Sequence, residues 1–516
     1  MMRTTLLTGL CLFLFHAHGL AQAWVLDPGF ADGGRLILDV DESIDEVSAM
    51  VVQDDGYTLV SGWATPFSVN FAGAFVVRIA PDGTLDEQFG DLGLAATYLA
   101  DRSLFANAMV EQADHAVVLA GGSLNTVFER DAVVLRYSAD GTPDPGFGVG
   151  GMVTMDLAGN EIFTAVTIDA NGLLVCAGRV GGAVLVARYD EAGVLDPAFG
   201  SGGVVQVPLG QGTLSGTVGM GLRSDGGIAL ACPTIAGLVL VRLDEDGLPI
   251  PTFGVDGVLN TEEEFSFHAF LVQPDDYMLV GGGAPLSPSE ECQGFQLMRY
   301  DPDGVLDPTL DGDGIARTLI SVSCPELFGL ALLPDGRILA TGTGATEASF
   351  ADLTAVRYMP DGSLDPTFNG DGKVFVDMGC TAMDVSFAIA EQIDGDVMVV
   401  GLSDCGVFPN DLAVMRIQED INTAVVPASS YVAGTSVVPN PAAYEAWLNY
   451  TVTMDQLVSL ELWDVQGRRV HGVLANQRRV AGAYREPLSI NGLSAGLYTA
   501  LLTRGGTSER IRFVKE

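Results

Sequence analysis

One phrase, read most clearly as Leu364-Asp-Pro-Thr-Phe-Asn-Gly-Asp-Gly372, recurs seven times and leaves few folds open to the chain. Copies begin at Leu26, Leu85, Pro143, Leu195, Pro249, Leu306 and Leu364. Their fifth positions are Phe30, Phe89, Phe147, Phe199, Phe253, Leu310 and Phe368, spaced by 59, 58, 52, 54, 57 and 58 residues. A fixed period of this length marks a repeat architecture, in which each unit buries its apolar faces only against its neighbours. Such a body can outgrow an ordinary single-core domain, which suits a chain of 516 residues.

Within each period the pattern alternates with period two and carries almost nothing at helical spacing. In the last full copy, residues 327–332 read as a strand, Pro334-Asp-Gly336 as a turn and 337–341 as a second strand. Residues 353–358 make a third, and 373–377 a fourth after the LDPTF phrase. Short strands joined by Asp-Gly and Asn-Gly turns are hairpin grammar, and four strands per unit in radial repetition point to a β-propeller. The first unit begins with an orphan strand, Arg35 to Val40, while the last ends after Leu412 to Ile417 with no fourth strand. The two are expected to pair and so remove an open edge.

The third strand repeats as VVRI, VLRY, VARY, LVRL, LMRY, AVRY and VMRI. It places Arg78, Arg136, Arg188, Arg242, Arg299, Arg357 and Arg416 in equivalent slots. A residue repeated in every unit is read as structural, an ion pair or carbonyl clamp. The expected partner is the Asp of the LDPxF phrase, held in planar bidentate geometry. Ile250 replaces that Asp in one unit while Arg242 stays, which gives the idea an internal test.

The N-terminus has the order of an export signal. Arg3 follows two methionines, Leu6 to Phe15 is a short apolar core, and Ala21-Gln-Ala23 is a cleavage site that would leave Trp24 first. No other stretch reads as a membrane span. Acidic residues number 66 against 25 basic, a formal charge of −41, and that field repels nucleic acid and anionic lipid headgroups.

Taken together, the LDPxFG phrases, the PDG hairpins and the arginine strands resemble the delta-60 repeat proteins over residues 26–417. The resemblance implies a propeller-like fold and assigns no chemistry. Leu310 and the proline-rich copy at Pro249 depart from its pattern.

Residues 418–436 read as a linker rich in Ala, Val, Ser and Thr. Beyond it the electrostatics change, with 9 basic and 7 acidic side chains over 437–516, so the remainder carries −43. Alternation at 458–465, 496–502 and 510–515 predicts a small antiparallel sandwich. This segment resembles the type A C-terminal sorting domain of the type IX secretion system. The residues that carry the likeness are Val438-Pro-Asn-Pro441, Leu460 to Gly467, Leu493 to Tyr498 and Arg512 to Lys515. The resemblance implies a Bacteroidetes-type cell, passage across the outer membrane, and the secretion machinery as a partner. The expected chain is therefore all-β: a signal peptide at 1–23, a seven-bladed β-propeller at 24–417, the linker, and an Ig-like antiparallel β-sandwich at 437–516.

Catalytic constellations are thin. The histidines left after signal removal, His115, His268 and His471, lie far apart and lack metal-ligand spacing. Acidic turns at Asp301, Asp303, Asp311, Asp313 and Asp371 could offer oxygens to calcium, the one cofactor in view, but none completes an EF-hand loop. Plain β-turn use of Asp and Gly accounts for them. The leading functional reading is a secreted or cell-surface binding and scaffolding propeller for an extracellular protein or glycan. Its rival is a secreted metal-dependent hydrolase or lyase with its site at the channel mouth, which needs acidic or histidine residues converging there. Six cysteines remain after signal removal. Cys176 and Cys232, in apolar strands, are expected as buried thiols, and loop positions suggest bridges from Cys380 to Cys405 and from Cys292 to Cys324.

Overall fold

The computed structural model describes residues 23–419 except 41–42, 158, 210–212, 262–265, 286–292, 321–324, 345–350, 380–382 and 405–409. It also describes 436–515 except 439–445, 453–455, 465–467, 481, 489, 491–492, 495 and 505–506. Every regular element among them is a strand, and no helix is long and apolar enough to cross a membrane. Contacts divide the chain into a unit spanning Trp24–Glu419 and a second containing Asp420–Glu516. The four cysteines proposed for bridges lie outside the described residues, as do the leader and nearly all of the linker. Cys176 and Cys232 are free and fully buried.

The larger unit contains seven antiparallel sheets. Six are four-stranded meanders, such as Ser43–Val52, Thr58–Pro66, Gly73–Ile79 and Leu94–Thr97. The seventh is made of Asp384–Glu391, Val397–Ser403 and Asp411–Glu419, and takes its outer edge from the other end of the unit. Arg35–Leu38 pairs with Asp411–Glu419 in the register Arg35 to Met415 and Leu38 to Leu412, as the orphan-strand argument expects. The structure adds a piece that alternation does not reveal: Trp24–Leu26 also pairs with this strand, Leu26 opposite Ile417. Leu85, Pro143, Leu195 and Leu306 make the matching bridge within their own sheets, so the first LDP phrase belongs to the last sheet.

The hairpins follow from their turn residues. Gly336, at φ +85°, takes the left-handed conformation that an L side chain resists, and its N–H donates to the Leu333 carbonyl. Asp335 accepts from the Arg337 N–H through its side chain. Each LDPxF aromatic then wedges between two sheets. Phe30 packs among Val60 and Phe75 of one sheet and Met398, Val400 and Val414 of its neighbour. Phe89, Phe147, Phe199 and Phe253 repeat this placement, and Leu310, no more exposed, fills the same space. Seven such cores link each sheet to the next and the last to the first.

The first strand of a sheet usually carries a bulge, and opposite it stands a glycine with no room for a side chain. A Cβ on Gly121 would lie 1.8 Å from the Phe105 carbonyl oxygen, and one on Gly178 1.9 Å from that of Ile162. Gly121→Ala is therefore expected to lower stability by at least the roughly 1–3 kcal/mol of an overpacked core. Gly182→Ala, where nothing lies within 4 Å, should stay within about 0.5 kcal/mol of wild type. Urea unfolding of the two variants checks this, and equal midpoints would contradict the steric account.

The C-terminal unit holds two antiparallel sheets. One pairs Ser436–Val438, Ala446–Val452 and Gly482–Leu488, and the other Arg469–Arg479, Gln456–Asp464, Gly496–Arg504 and Thr507–Lys515. Leu448 and Tyr450 from the first share a core with Leu460, Leu502 and Phe513 from the second.

Candidate functional site

The repeated arginines form a structural ladder. Arg78 lies 3.3 Å from Asp86, Arg188 2.7 Å from Asp196, Arg299 2.6 Å from Asp307 and Arg357 2.7 Å from Asp365, while Arg136 contacts Asp144. Arg416 completes the set with Asp27 at 3.4 Å, across the closure of the unit. The bidentate fork expected from sequence is not the geometry found. One aspartate oxygen meets the guanidinium, and the other accepts the backbone N–H two residues on, as Asp365 does from Thr367. The turn claims that second oxygen. Several of the arginines also donate to a carbonyl on the following sheet: Arg188 to Glu245, Arg299 to Pro360 and Arg416 to Pro81, at 2.7–2.8 Å. Arg242, deprived of its aspartate by Ile250, keeps this clamp on Pro302 at 2.7 Å.

Of the acidic turn candidates, Asp301, Asp313 and Asp371 serve their own turns. Asp301 accepts from Asp303 and Val305, Asp313 from Ile315 and Asp371 from Lys373, and Asp311 donates its own N–H to Asp361. The structure does not gather these five carboxylates into one place.

What it does gather is a set of bulged residues. Register shifts fall at Ser48, Asn107, Thr164, His268, Phe328 and Phe387, one in each of six first strands. A bulge re-aims the residue it frees. All six line one cleft of about 530 Å³, to which the remaining sheet contributes Val218 and Gly219. The polar members tie neighbouring strands together: Ser48 donates to the Ala106 carbonyl at 2.6 Å, Asn107 to Phe163 at 2.8 Å and Thr164 to Val218 at 2.9 Å. Opposite in character is an aromatic run, His268 edge-on to Phe328 with centroids 4.6 Å apart and Phe328 tilted against Phe387 at 5.4 Å.

His268 is the histidine that reaches this cleft, and its Nε2 lies 2.8 Å from Glu326 and 3.2 Å from the Ser266 hydroxyl. The hydrogen bond to His268 holds the Glu326 carboxyl below its ordinary value against the opposing effect of burial. A nucleophilic relay needs the acid on one ring nitrogen and the serine on the other. Here both meet Nε2, so the trio positions a ring and does not relay a proton. Sequence reasoning missed the bulged residues because a bulge interrupts the alternation by which strands are recognised. Their signal was a repeat position that reads Ser, Asn, Thr, His, Phe, Phe before a residue that is always Ala or Gly.

Residues 53–89, 112–147 and 333–368 match the family described as a domain of unknown function (DUF5122) beta-propeller. Each matched stretch runs from a first hairpin turn to the aromatic of the following LDPxF phrase. The chain is a β-propeller repeat protein. No curated protein matches it. Similar solved structures include a protein of unknown function from Dyadobacter fermentans, 12% identical with TM-score 0.40 over 76% of this chain and 100% of that one. Virginiamycin B lyase from Staphylococcus aureus is 13% identical with TM-score 0.38, over 74% and 98%. Regucalcin, a calcium-binding protein from Agrobacterium tumefaciens, is 15% identical with TM-score 0.32, over 61% and 86%.

Proposed function

We propose that residues 24–419 are a seven-bladed binding propeller of an exported protein, and that the cleft of bulged residues takes a glycan. The observation that carries this reading is the make-up of the cleft. Phe328 and Phe387 stand half-buried at one side, and hydroxyl, amide and imidazole groups line the rest. A sugar ring offers an apolar face to stack on an aromatic and hydroxyls for polar groups at its edge, and sites of this kind combine apolar walls with a few placed polar groups. The C-terminal unit acts in this proposal as an Ig-like sorting sandwich that addresses the protein to type IX secretion and the outer cell surface. The likeness of its motifs supports that role, as does the basic balance that sets it apart from the acidic body. Removal of the leader after Ala23 would leave Trp24, whose backbone nitrogen lies 3.3 Å from the Asn369 side chain, at the head of its strand.

Glycan-array screening followed by saturation-transfer NMR tests the reading. Phe328→Ala and Phe387→Ala should each weaken binding at least about tenfold, the 1.4 kcal/mol of one lost stacking contact. A glycan that binds both variants as tightly as wild type would place recognition elsewhere.

A further inference from the structure

Three junctions between neighbouring sheets carry something the repeat does not require. Asp39, Asp45 and Asp411 meet at one, Asp131, Asp156 and Glu161 at the second, and Asp352, Asp377 and Asp384 at the third. In each trio one oxygen per residue lies within 4.8 Å of the others. The trios occupy the same three positions. One member follows the outer strand, after Leu38, Met155 or Val376. A second stands near the start of the next sheet's first strand, and the third near the start of the third strand, where Asp131 opposes Ser123 and Asp411 opposes Ser403. At the other four junctions the third-strand position is Gly73, Ala183, Gly237 or Gly294, although at one of them the outer-strand position is the acid Glu262. The first-strand and third-strand acids therefore arrive together, as ligands of one centre would.

A second observation points into the clusters. Glu161 is fully buried, and its Oε2 has no hydrogen-bond partner although Oε1 accepts from Gly159. Asp411 is 3% exposed, and its Oδ1 is also without a partner. A buried carboxylate oxygen left unpaired is costly, and a like-charged neighbour makes it more so. Arg102, 3.0 Å from Asp131, offsets part of the charge at the second trio.

We infer that two of the junctions, those of Asp39, Asp45 and Asp411 and of Asp131, Asp156 and Glu161, are divalent-cation sites of the oxygen-ligated class that calcium fills. Calcium binds oxygens at about 2.3–2.6 Å in flexible geometry, so oxygens within 4.8 Å of one another can share one ion. Three carboxylates over-neutralise two positive charges, and backbone carbonyls and water complete the shell. The exposed members Asp39 and Asp156 give the ion its entry. Each ion would bridge two sheets, because its ligands come from both.

The test uses the full chain, stripped with a chelator, in 0.15 M NaCl, with calcium alone as the probe in equilibrium dialysis and in thermal unfolding. The expected result is two saturable ions per chain, a calcium-dependent rise in the unfolding temperature, and weaker stabilisation by magnesium, which demands near-ideal octahedral geometry and dehydrates reluctantly. Glu161→Gln and Asp411→Asn should each remove one ion while leaving the chelated protein at least as stable as wild type. Should Glu161→Gln fail to fold, the exposed Asp156→Asn reads the same centre. Unsaturable binding that magnesium reproduces and the variants leave unchanged would reduce the effect to diffuse counterions on an acidic surface and overturn the assignment. So would the absence of any calcium response.

Discussion

Arg357→Ala is expected to cost about 3 kcal/mol, the low end of the range for removing one partner of a buried ion pair, because Arg337 remains 3.2 Å from Asp365. Arg357 is 4% exposed and Asp365 1%. The guanidinium also lies 4.6 Å from the Phe368 ring and donates to the Thr367 hydroxyl, so its loss loosens the aromatic wedge as well as the charge. Arg242→Ala should cost clearly less, since Arg242 has no LDPxF aspartate to strand. Urea unfolding of both variants decides the matter, and similar losses at the two positions would show that the aspartate contributes little.

The same pair sets a response to acid. Burial pushes Asp365 up, but hydrogen bonds from Thr367 and the charges of Arg357 and Arg337 overcome it and hold the carboxyl below its ordinary value. Burial pulls Arg357 down as well, but a guanidinium stays charged across the range in which proteins fold, so the carboxylate governs the response. A depressed carboxyl contributes stability that is full above its unfolded value, near 3.8, and fades as pH falls through the folded one. Arg357→Ala should accordingly flatten the loss of stability in acid below about pH 4.

Deleting residues 24–38 should have a still larger effect. The segment supplies the outer edge of the seventh sheet, the Asp27 partner of Arg416, and Phe30, 1% exposed between two sheets. Loss of one such aromatic alone costs about 3–5 kcal/mol. The truncated chain is expected to lose cooperative unfolding and to associate through the bared strand. Light scattering and calorimetry would show this, and a truncated monomer melting at the wild-type temperature would refute it. A peptide spanning 24–38 added in trans should restore part of the transition.

These contacts also show what a sequence discloses. The ladder and the closing strand were legible because each follows from a short pattern repeated at a fixed interval, and Ile250 marked the one rung that differs. Hairpin turns were legible for the same reason. Trp24–Leu26 escaped because three residues beside a leader carry no alternation. The bulged cleft escaped because its members are single positions on separate strands, and their convergence depends on the sheets facing one another. The acidic trios join positions as remote as Asp39 and Asp411, whereas the sequence shows acids densest in turns such as Asp311-Gly-Asp313, where the Asp313 carboxylate already accepts from the Ile315 N–H.

The closing strand also fixes an order of events. Asp27 and Gln418 touch although they stand 391 positions apart. At about 5–20 residues per second of synthesis, tens of seconds separate the appearance of one from that of the other. Throughout that interval the earliest strands have nothing to pair with, and Phe30 has only half of its socket. A linear array of repeats can begin folding anywhere and stop with any number of units complete. This circular one has its most remote contact as the condition for its last seam, which places it among slow folders whose rate is set by chain separation more than by local preference.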